Sequence, residues 1–471
     1  MTENEVKEEL SPTEHQQEAV DAMESFLLPE DKSEFFTLKG YGGTGKTFCV
    51  YYAVKGRRDV VGLALAHTAK DELASSLGGI PCMTLAKALN LKRRVSRTGE
   101  VSFVPDFRGR PKIALYKVII VDECSMISEE LFEYICMYKA DDAKVIFLGD
   151  PAQLPPVSKT KSDFSVTFDY TKGELTVPVR YTGPLVDLGA MLRANILTDT
   201  PAKYVLNDWQ VNDLGNRGRT SKVVDGTGYI FLRDPEDVIR ISKMLLASND
   251  ASDYQLLAYT NKTINTLNHV IREVVYDKPY EELDQFMPNE RVISNASYSI
   301  DINGSTHTVL TNNKTYTVKE FIKSTHKSGV KTIKLDLLPA LDIPEGHYIE
   351  TIDKSDSTVY DGMLGRMTTT AEESNTRGAW EHVHDYTGSW AQFSYSYGIT
   401  IHKSQGKTYN NALVFESDIM DLDQSLVKMT AKLQALYVAC TRARKIVFIY
   451  NKSFKAIQTE LPADIRLKYG L

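Results

Sequence analysis

The sequence has few cysteines and no long apolar run. Its five cysteines are widely spread and no two form a Cys-x-x-Cys pair, so neither a disulfide framework nor a zinc or redox motif is indicated. No apolar stretch approaches the roughly 20 residues that a membrane-spanning helix needs. The first ten residues are acidic and lack an apolar core, so we expect no signal or transit peptide. These absences favour a chain of the reducing cytoplasm.

The sequence also lacks an excess of basic residues. The formal net charge is −7, which argues against a protein that coats nucleic acid non-specifically, because such binding depends on neutralising phosphates. A local basic groove remains compatible with this balance. Hydrophobic residues make up 42% and charged residues 25% of the chain, as in ordinary globular proteins. The length of 471 residues predicts about three domains.

A glycine-rich segment, FFTLKGYGGTGKT, fits the pattern G-x-x-x-x-G-K-[ST]. Residues 35–38 before it are typical of a buried strand, and residues 48–54 after it of a helix whose N-terminus would face an anion. In that context a chance glycine turn is the weaker interpretation, and the pattern predicts a polyphosphate site. Lys46 would contact the β- and γ-phosphates and Thr47 a Mg²⁺ ion. The residues expected to surround the nucleotide phosphates are Gly40, Gly42, Gly43, Thr44, Gly45, Lys46 and Thr47.

A carboxylate pair follows a second apolar strand, in the segment KVIIVDECS. Asp122 is expected to hold Mg²⁺ through water, and Glu123 to orient and deprotonate the attacking water during γ-phosphoryl transfer. Gln153 follows the next strand, where its amide suits both a phosphate oxygen and that water. Two acids after a strand are common by chance, but their combination with the upstream loop indicates nucleotide hydrolysis.

Several polar residues have a functional and an ordinary interpretation. Gln16 lies on the first turn of a predicted helix, where its amide suits an adenine edge, although a solvated glutamine is the common alternative. Arg180 suits charge stabilisation, although a surface arginine is as common, and Arg442 lies at the end of a predicted helix, where an arginine also complements the helix dipole. A polar cluster between two strand-like segments suits phosphate or nucleic-acid contact, and its members are Thr400, His402, Lys403, Ser404, Gln405 and Gly406.

The order of strands and helices predicts an α/β fold with parallel sheets. Residues 1–179 are expected to form one domain and residues 180–287 with 391–471 a second, separated by an insertion over residues 288–390 that combines a β-barrel and a helical arm. A basic β-hairpin with the apolar residue Phe103 is expected over about residues 85–115. A charged run is usually only a solvated face, but six basic residues around an exposed aromatic in an acidic protein also suit nucleic-acid contact. The basic residues of this segment are Lys92, Arg93, Arg94, Arg97, Arg108 and Arg110.

The motifs together resemble those of the superfamily 1 helicases, in particular the RecD/Pif-like branch. The resemblance runs from the glutamine motif at Thr13–Ala19 through TLKGYGGTGKT, VDECSM, GDPAQLPPV, LTVPVR, TIHKSQGKTY and LYVACTRAR. It implies two RecA-like P-loop NTPase domains, an inserted β-hairpin and an inserted SH3-like barrel. Two motifs depart from the family pattern: the chain reads Leu65-Ala66-His67 for Pro-Thr-His, and Thr84-Leu85-Ala86 for Thr-Ile-His.

The same resemblance implies an ATP- and Mg²⁺-dependent DNA helicase that moves 5′ to 3′ on single-stranded DNA. Its partners would be single-stranded and forked DNA, and replication or recombination proteins such as a single-stranded DNA-binding protein, in a cytoplasm that is the host's if the chain is phage-encoded. It also implies DNA contacts at His67, Thr84, Thr400, His402 and Lys403, a strand-separating role for Phe103, and nucleotide contacts at Gln405 and Gly406. Arg180 and Arg442 would be the two arginines that stabilise the transition state of hydrolysis. An RNA helicase is one alternative, and an ATP-gated single-stranded DNA-binding recombination mediator without unwinding is another.

Overall fold

The structure is a computed structural model. It describes residues 11–95, 101–106, 109–155, 165–197, 218–232, 234–246, 254–302, 305–341, 343, 348–374, 376–423, 427–452, 455–457 and 462–469. Arg97 and Arg108, two basic residues of the predicted hairpin, lie outside these ranges.

Strands and helices alternate through much of the described chain. The strands are β1 (Phe35–Gly40), β2 (Val60–Ala64), β3 (Cys82–Thr84), β4 (Leu91–Val95), β5 (Val101–Pro105), β6 (Val118–Val121), β7 (Lys144–Gly149), β8 (Thr171–Leu175), β9 (Gly218–Thr220), β10 (Lys222–Val224), β11 (Thr227–Leu232), β12 (Tyr254–Ala258), β13 (Arg291–Ser294), β14 (Tyr298–Ile302), β15 (Ser305–Leu310), β16 (Thr315–Thr325), β17 (Lys331–Leu338), β18 (Ile349–Ile352), β19 (Phe393–Tyr395), β20 (Gly398–Thr400), β21 (Tyr409–Phe415), β22 (Ala443–Tyr450) and β23 (Lys455–Ile457). The α-helices are α1 (Glu14–Leu27), α2 (Lys46–Val54), α3 (His67–Ser76), α4 (Leu85–Ala88), α5 (Glu129–Tyr138), α6 (Pro184–Leu197), α7 (Pro235–Leu246), α8 (Asn261–Tyr276), α9 (Ser357–Ser374), α10 (Arg377–Gly388), α11 (Ile401–Ser404), α12 (Glu416–Met420), α13 (Met429–Cys440) and α14 (Ala463–Tyr469).

The first sheet is entirely parallel, with the order β3-β2-β6-β7-β1-β8. Its central strands are continuous apolar runs, and all four residues of β6 are buried. Such runs are typical of parallel strands, because helices cover both faces of the sheet. Phe36 and Leu38 belong to one buried cluster, and Phe147 belongs to the cluster on the other side. The α/β fold predicted from the sequence is confirmed here.

A second sheet has the order β10-β11-β22-β21-β12-β20. Strands β11, β22, β21 and β12 run parallel, and β10 pairs antiparallel with β11. Helix α13 packs against α6 and β21, and eight consecutive residues from Leu433 to Cys440 are buried. The chain therefore contains two largely parallel sheets, as the alternation of strands and helices predicts.

The predicted hairpin is present as a separate two-stranded sheet of β4 and β5. The Asp106 N–H donates to the Asn90 carbonyl oxygen at 2.9 Å next to this pair. Phe103 is 49% exposed on β5, whereas Val104 is half-buried. The apolar Phe103 side chain thus faces solvent, as a contact residue would.

The described chain forms two compact units. One lies within Met1–Arg94, Phe103–Thr266 and Ile399–Leu471, and the other within Val95–Ser102 and Leu267–Gly398. The second unit contains an antiparallel five-stranded sheet with the order β18-β17-β16-β13-β19, a β14-β15 pair, and helices α9 and α10 packed on each other. The second unit is therefore rich in β-strands and also carries a pair of packed helices. No helix in the described ranges combines the length and apolar composition needed to cross a bilayer.

Candidate active site

The glycine-rich loop connects β1 to α2, as the sequence predicts. Gly43 and Gly45 adopt φ values of +81° and +86°, a region that glycine enters at little cost. Gly45 is the N-cap of α2, so the helix begins with Lys46 at the point where the loop ends. The first N–H groups of a helix have no partner within it, and they attract anions.

The ammonium group of Lys46 is held over the loop by two of the loop's own carbonyl oxygens. Its Nζ donates to Gly40 O at 2.8 Å and to Tyr41 O at 3.0 Å. Burial lowers the pKa of Lys46 to about 8, although Glu123 and Asp122 oppose the effect. A buried ammonium that depends on carbonyl oxygens is stabilised further by an anion placed beside it.

The carboxylate pair follows β6 directly. Glu123 adopts φ +53° and ψ 42°, a left-handed conformation that is uncommon for a residue with a side chain and recurs at functional sites. Its N–H donates to Asp122 Oδ1 at 2.8 Å. Burial, and then the charge of Glu123, raise the pKa of Asp122 to about 7. A cation beside this pair would relieve both effects.

The oxygen atoms that face the cavity show whether a Mg²⁺ ion suits the site. Thr47 and Asp122 line one cavity and offer hard oxygen ligands, and Asp122 Oδ1 already accepts a backbone hydrogen bond. Mg²⁺ usually takes one or two protein oxygens and completes its shell with water and phosphate. The described residues contain no cluster of three or more His, Cys, Asp or Glu side chains suited to a metal. Thr47 and Asp122 therefore fit a Mg²⁺ shared with a phosphate ligand.

Gln153 lies next to the glycine-rich loop, and its side-chain oxygen has no hydrogen-bond partner among the described residues. The residue is only 4% exposed, and its Oε1 is buried with no hydrogen-bond partner in the described structure. A Cβ built on Gly42 would lie 3.7 Å from Gln153 Nε2, so the amide borders the phosphate loop. Buried polar atoms without partners are rare and costly. A donor supplied by a bound molecule, such as a water, would satisfy this oxygen.

Two arginines reach the cavity from different parts of the first unit. The N–H groups of Val179 and Arg180 donate to Gly43 O at 2.7 and 3.0 Å, which joins the segment after β8 to the loop. Arg442 follows α13, is 1% exposed, and donates from Nε to Val438 O at 3.1 Å. Burial, and next the charge of Arg442, lower the pKa of Arg180 to about 10. An anion between these guanidinium groups would offset their repulsion.

These side chains surround a cavity of about 270 Å³. The predicted residues that line it are Gly42, Gly43, Thr44, Gly45, Lys46, Thr47, Asp122, Glu123, Gln153, Arg180, Gly406 and Arg442. Residues from both parallel sheets therefore meet at one cavity. Since a polyphosphate and a divalent cation carry opposite charges, a lining of both signs suits the two together.

Three of the predicted nucleotide-contact residues lie beside the cavity lining. Gln16 is buried and donates from Nε2 to Thr44 O at 3.1 Å, while Gly40 O accepts from Lys46. Gln405 is 8% exposed, and neither atom of its side-chain amide has a partner in the described structure. Gln16 and Gly40 thus support the loop, and Gln405 precedes the lining residue Gly406.

Sequence reasoning missed an acidic residue of the cavity, Glu72, which lies on α3. The residue is exposed as a whole, yet its carboxylate faces the cavity. Desolvation raises its pKa to about 7, although the charges of Arg180 and Arg442 oppose the rise. In the sequence the α3 segment HTAKDELASS has the composition of a solvated helix. No signal in that segment identifies Glu72, because only the approach of α3 to Gly406 brings it to the cavity.

The residues predicted to contact DNA lie at ends of strands or beside them. His67 begins α3 after β2, Thr84 ends β3 and caps α4, and Thr400 ends β20. His402 packs edge-on against Tyr259 with ring centroids 5.3 Å apart. Thr84 and Thr400 are buried, and burial also lowers the pKa values of His402 and of the following Lys403. Carboxyl ends of parallel strands are common ligand sites.

Two family models match the chain. One is described as an AAA domain and matches residues 12–182, and the other as a UvrD-like helicase C-terminal domain and matches residues 395–450. The "ATP-dependent DNA helicase dda" of Enterobacteria phage T4 is 24% identical over 450 residues, which cover 89% of this chain and 95% of that protein. The "ATP-dependent DNA helicase Pif1" of Campylobacter jejuni is 27% identical over 145 residues, 28% of this chain and 31% of that protein.

Two solved structures align with nearly the whole length of this chain. A Pif1 helicase from Bacteroides, solved with ADP-AlF3 and ssDNA, is 17% identical, covers 98% of each chain and has a TM-score of 0.44. The Pif1 helicase from Candida albicans is 15% identical and covers 96% of this chain and 97% of its own, with a TM-score of 0.45.

Proposed function

We propose that this chain, a Pif1-like superfamily 1 helicase by its homology to Dda and Pif1, hydrolyses ATP and thereby unwinds duplex DNA while moving 5′ to 3′ along a single strand. One observation carries the proposal. A phosphate loop and an acid pair from the first sheet share a cavity with Arg442, which joins α13 to β22 of the second sheet.

Each residue of the cavity has a separate role in the proposed hydrolysis. Loop N–H groups and Lys46 bind the phosphates, and Lys46 exchanges the carbonyl oxygens of Gly40 and Tyr41 for phosphate oxygens. Thr47 and Asp122 would hold Mg²⁺, which when bound neutralises charge on the β- and γ-phosphates. Glu123 accepts the proton of the water that attacks the γ-phosphorus, and the bond from that phosphorus to the β-γ bridging oxygen breaks.

Two arginines and a glutamine stabilise the developing charge. Arg180 and Arg442 both line the cavity, so a γ-phosphate placed there receives two guanidinium groups. Gln153 Oε1 lacks a partner and suits the attacking water, while its Nε2 suits a phosphate oxygen. Because Arg442 lies on the second sheet, its approach to the phosphate would link hydrolysis to movement between the sheets.

The remaining nucleotide contacts are assigned to residues beside these groups. Gln16 keeps one unused donor and one unused acceptor site on its amide, enough to recognise an adenine edge. Gly40 shapes the loop, and Gln405 and Gly406 follow α11 next to the cavity. The two unpaired amide atoms of Gln405 support a contact with a bound molecule.

We assign the DNA contacts to residues at the strand ends. His67 and Thr84 lie at the ends of parallel strands of the first sheet, and Thr400, His402 and Lys403 lie at or just after the end of β20 in the second sheet. A DNA single strand lying along these strand ends would pass all of them. In the proposed unwinding, Phe103 separates the strands at the fork. Its 49% exposure on the β4-β5 pair supports that role.

The domain proposal is two RecA-like domains, residues 1–179 and residues 180–287 with 391–471, and an insertion at 288–390. The five-stranded antiparallel sheet supports an SH3-like barrel in the insertion. The Ala391 N–H also donates to Glu350 O at 2.8 Å, which joins the segment before β19 to β18, the strand at the opposite edge. Strand β19 extends this sheet beyond residue 390. We further propose a cytoplasmic location and cooperation with a single-stranded DNA-binding protein.

The decisive experiment is strand displacement on duplexes that carry either a 5′ or a 3′ single-stranded tail. We expect ATP- and Mg²⁺-dependent displacement from the 5′ tail, and none with Lys46→Ala, which removes the charge that compensates the phosphates. Displacement from the 3′ tail alone would contradict the direction. If RNA stimulates ATP hydrolysis more than DNA does, an RNA helicase is favoured. If ATP is hydrolysed but no strand is displaced, a recombination mediator is favoured.

A further inference from the structure

A buried hydrogen-bond network joins the phosphate loop to helices of the second sheet. Asp150 follows β7 and is fully buried. Its Oδ1 accepts from the Ala152 N–H at 3.0 Å and from the Arg193 guanidinium, and its Oδ2 accepts from the Tyr437 hydroxyl at 2.7 Å. Arg193 lies on α6 and Tyr437 on α13, so one carboxylate connects two helices.

The Tyr437 hydroxyl also reaches the phosphate loop. The Gly42 N–H donates to this oxygen at 3.1 Å. A backbone N–H only donates and a carboxylate only accepts, so the hydroxyl must accept from Gly42 and donate to Asp150. Burial raises the pKa of Tyr437 to about 12, which keeps the proton that this arrangement requires. The direction of every hydrogen bond in the network is thereby fixed.

Arg193 contacts the loop by a second route. Its guanidinium carbon lies 4.1 Å from the centroid of the Tyr41 ring, and its Nη2 lies 3.9 Å from Glu174 Oε1. Arg193 is 2% exposed and Tyr437 is fully buried. Two neighbouring loop residues, Tyr41 and Gly42, are therefore each in contact with a different helix of the second sheet.

Stability alone does not explain a buried ionic network. Apolar residues of similar volume often stabilise a core as well as a buried ion pair does, whereas removing one partner of such a pair is strongly destabilising. What a fully satisfied network adds is a fixed geometry. Here the network fixes the positions of two groups proposed to act in hydrolysis. Gln153 follows Asp150 in the same loop, and Arg442 follows α13, the helix that carries Tyr437. A Cβ built on Gly42 would lie 3.5 Å from Thr441 Oγ1, next to Arg442.

We propose that Tyr437, Asp150 and Arg193 are positioning residues that hold the phosphate loop in a fixed place relative to Gln153 and Arg442. The inference rests on the proposed ATP hydrolysis. None of the three needs to touch the nucleotide, since Tyr437 acts through the Gly42 amide and Asp150 through Tyr437. A displacement of about 1 Å between reacting groups lowers a rate by roughly 10²-fold.

The test is Tyr437→Phe, which keeps the ring and removes only the shared hydroxyl. We expect kcat for DNA-stimulated ATP hydrolysis to fall roughly 10- to 100-fold, with KM for ATP and the Kd of a fluorescent ADP analogue little changed. Backbone amide hydrogen exchange over residues 40–46 should become faster, because the Gly42 N–H loses its acceptor. The matched control is Tyr254→Phe, which removes another buried hydroxyl, bonded to Ser242 at 2.9 Å in the second sheet. It should leave kcat and this exchange unchanged.

A second variant tests whether the residues act as a unit. Asp150→Asn keeps the shape of the side chain and removes its charge, and the double variant with Tyr437→Phe should be no slower than the slower single variant. If the fold-loss of kcat in the double variant equals the product of the two single-variant losses, the residues act independently and the network is overturned. Wild-type kcat in Tyr437→Phe, or a loss confined to nucleotide affinity, would overturn the positioning role while the proposed function stands. A wild-type protein without ATPase activity would overturn both.

Discussion

The side-chain amide of Gln16 donates a hydrogen bond of 3.1 Å to the carbonyl oxygen of Thr44 in the phosphate loop. Its oxygen accepts from the Thr13 N–H at 3.1 Å, as part of the capping box that begins α1. Gln16 therefore supports the phosphate loop in the protein itself, before any base is bound. Recognition of adenine would be a second task for the same amide.

Gln16→Ala is expected to raise KM for ATP about 5- to 10-fold, because a typical hydrogen bond contributes about 1 kcal/mol net. If the amide also reads adenine, the preference for ATP over GTP in steady-state ATPase assays will decrease. Gln17→Ala is the matched control, since Gln17 bonds Asp21 on the exposed face of α1. An unchanged ATP-to-GTP ratio in Gln16→Ala would restrict Gln16 to supporting the loop.

Arg442→Ala is expected to slow turnover by roughly 10³-fold or more, as removal of an arginine finger does. Nucleotide affinity should be largely retained, because loop amides and Lys46 remain. Steady-state ATPase measured beside equilibrium binding of an ADP analogue separates the two effects. Arg444→Ala is the control, because Arg444 is exposed on the adjacent strand β22. A loss seen only in affinity would make Arg442 a binding residue.

Phe103→Ala is expected to preserve DNA-stimulated ATPase and to impair strand separation. Stacking of a base on an aromatic ring contributes roughly 1–3 kcal/mol, and Phe103 is free of the core at 49% exposure. Unwinding of a forked duplex and ATPase on single-stranded DNA are measured on the same preparation. Leu115→Ala, another exposed apolar residue, at 77%, serves as the control. Normal unwinding by Phe103→Ala would exclude the strand-separating role.

Glu72 predicts a pH-dependent contribution to stability. Desolvation raises its pKa from 4.5 to about 7, and the negative charges of Glu123 and Asp122 add to the rise. The positive charges of Arg180, Arg442 and Lys407 oppose it. The native protein therefore holds this proton more tightly than the unfolded chain, and the linked stability is lost as pH rises from about 4.5 to about 7.

Glu72→Gln should accordingly melt at a higher temperature than the wild type at pH 8, with the difference shrinking toward pH 5. Thermal unfolding of the nucleotide-free protein in low-salt buffers at both pH values measures it. Glu24→Gln, on the exposed side of α1, controls for a general change in charge. A melting difference of the same size at pH 5 and pH 8 would contradict a cavity-facing Glu72 carboxylate whose pKa is raised by desolvation.

The sequence predicts that the glycine-rich loop and the acid pair lie together, because nucleotide chemistry needs particular residue types at fixed spacing. Lys46, Asp122 and Glu123 follow strands whose apolar runs are unambiguous, and the structure places all three at one cavity. The expected resemblance to RecD/Pif-like superfamily 1 helicases is likewise confirmed by homology to Dda and Pif1.

Glu72, Arg193 and Tyr437 are not predicted because their environment is created by the fold. Arg193 lies within an otherwise largely apolar helix, and a buried arginine there implies an acidic partner without identifying it as Asp150. Tyr437 occurs in the motif LYVACTRAR, where its spacing suggests only a helix. The hydrogen bond between Tyr437 and Gly42 links residues far apart in sequence, so no local pattern contains it.

The close contact between Gly43 and Arg180 also constrains how this chain can vary. A Cβ at Gly43, which has φ +81°, would lie 2.5 Å from the Cβ of Arg180. Any larger residue at position 43 would therefore have to displace the arginine as well as strain the loop. Every residue except glycine carries a Cβ, so exchanging Arg180 for another side chain would not relieve this contact. Position 43 is therefore expected to remain glycine among descendants of this sequence, whatever residue stands at position 180.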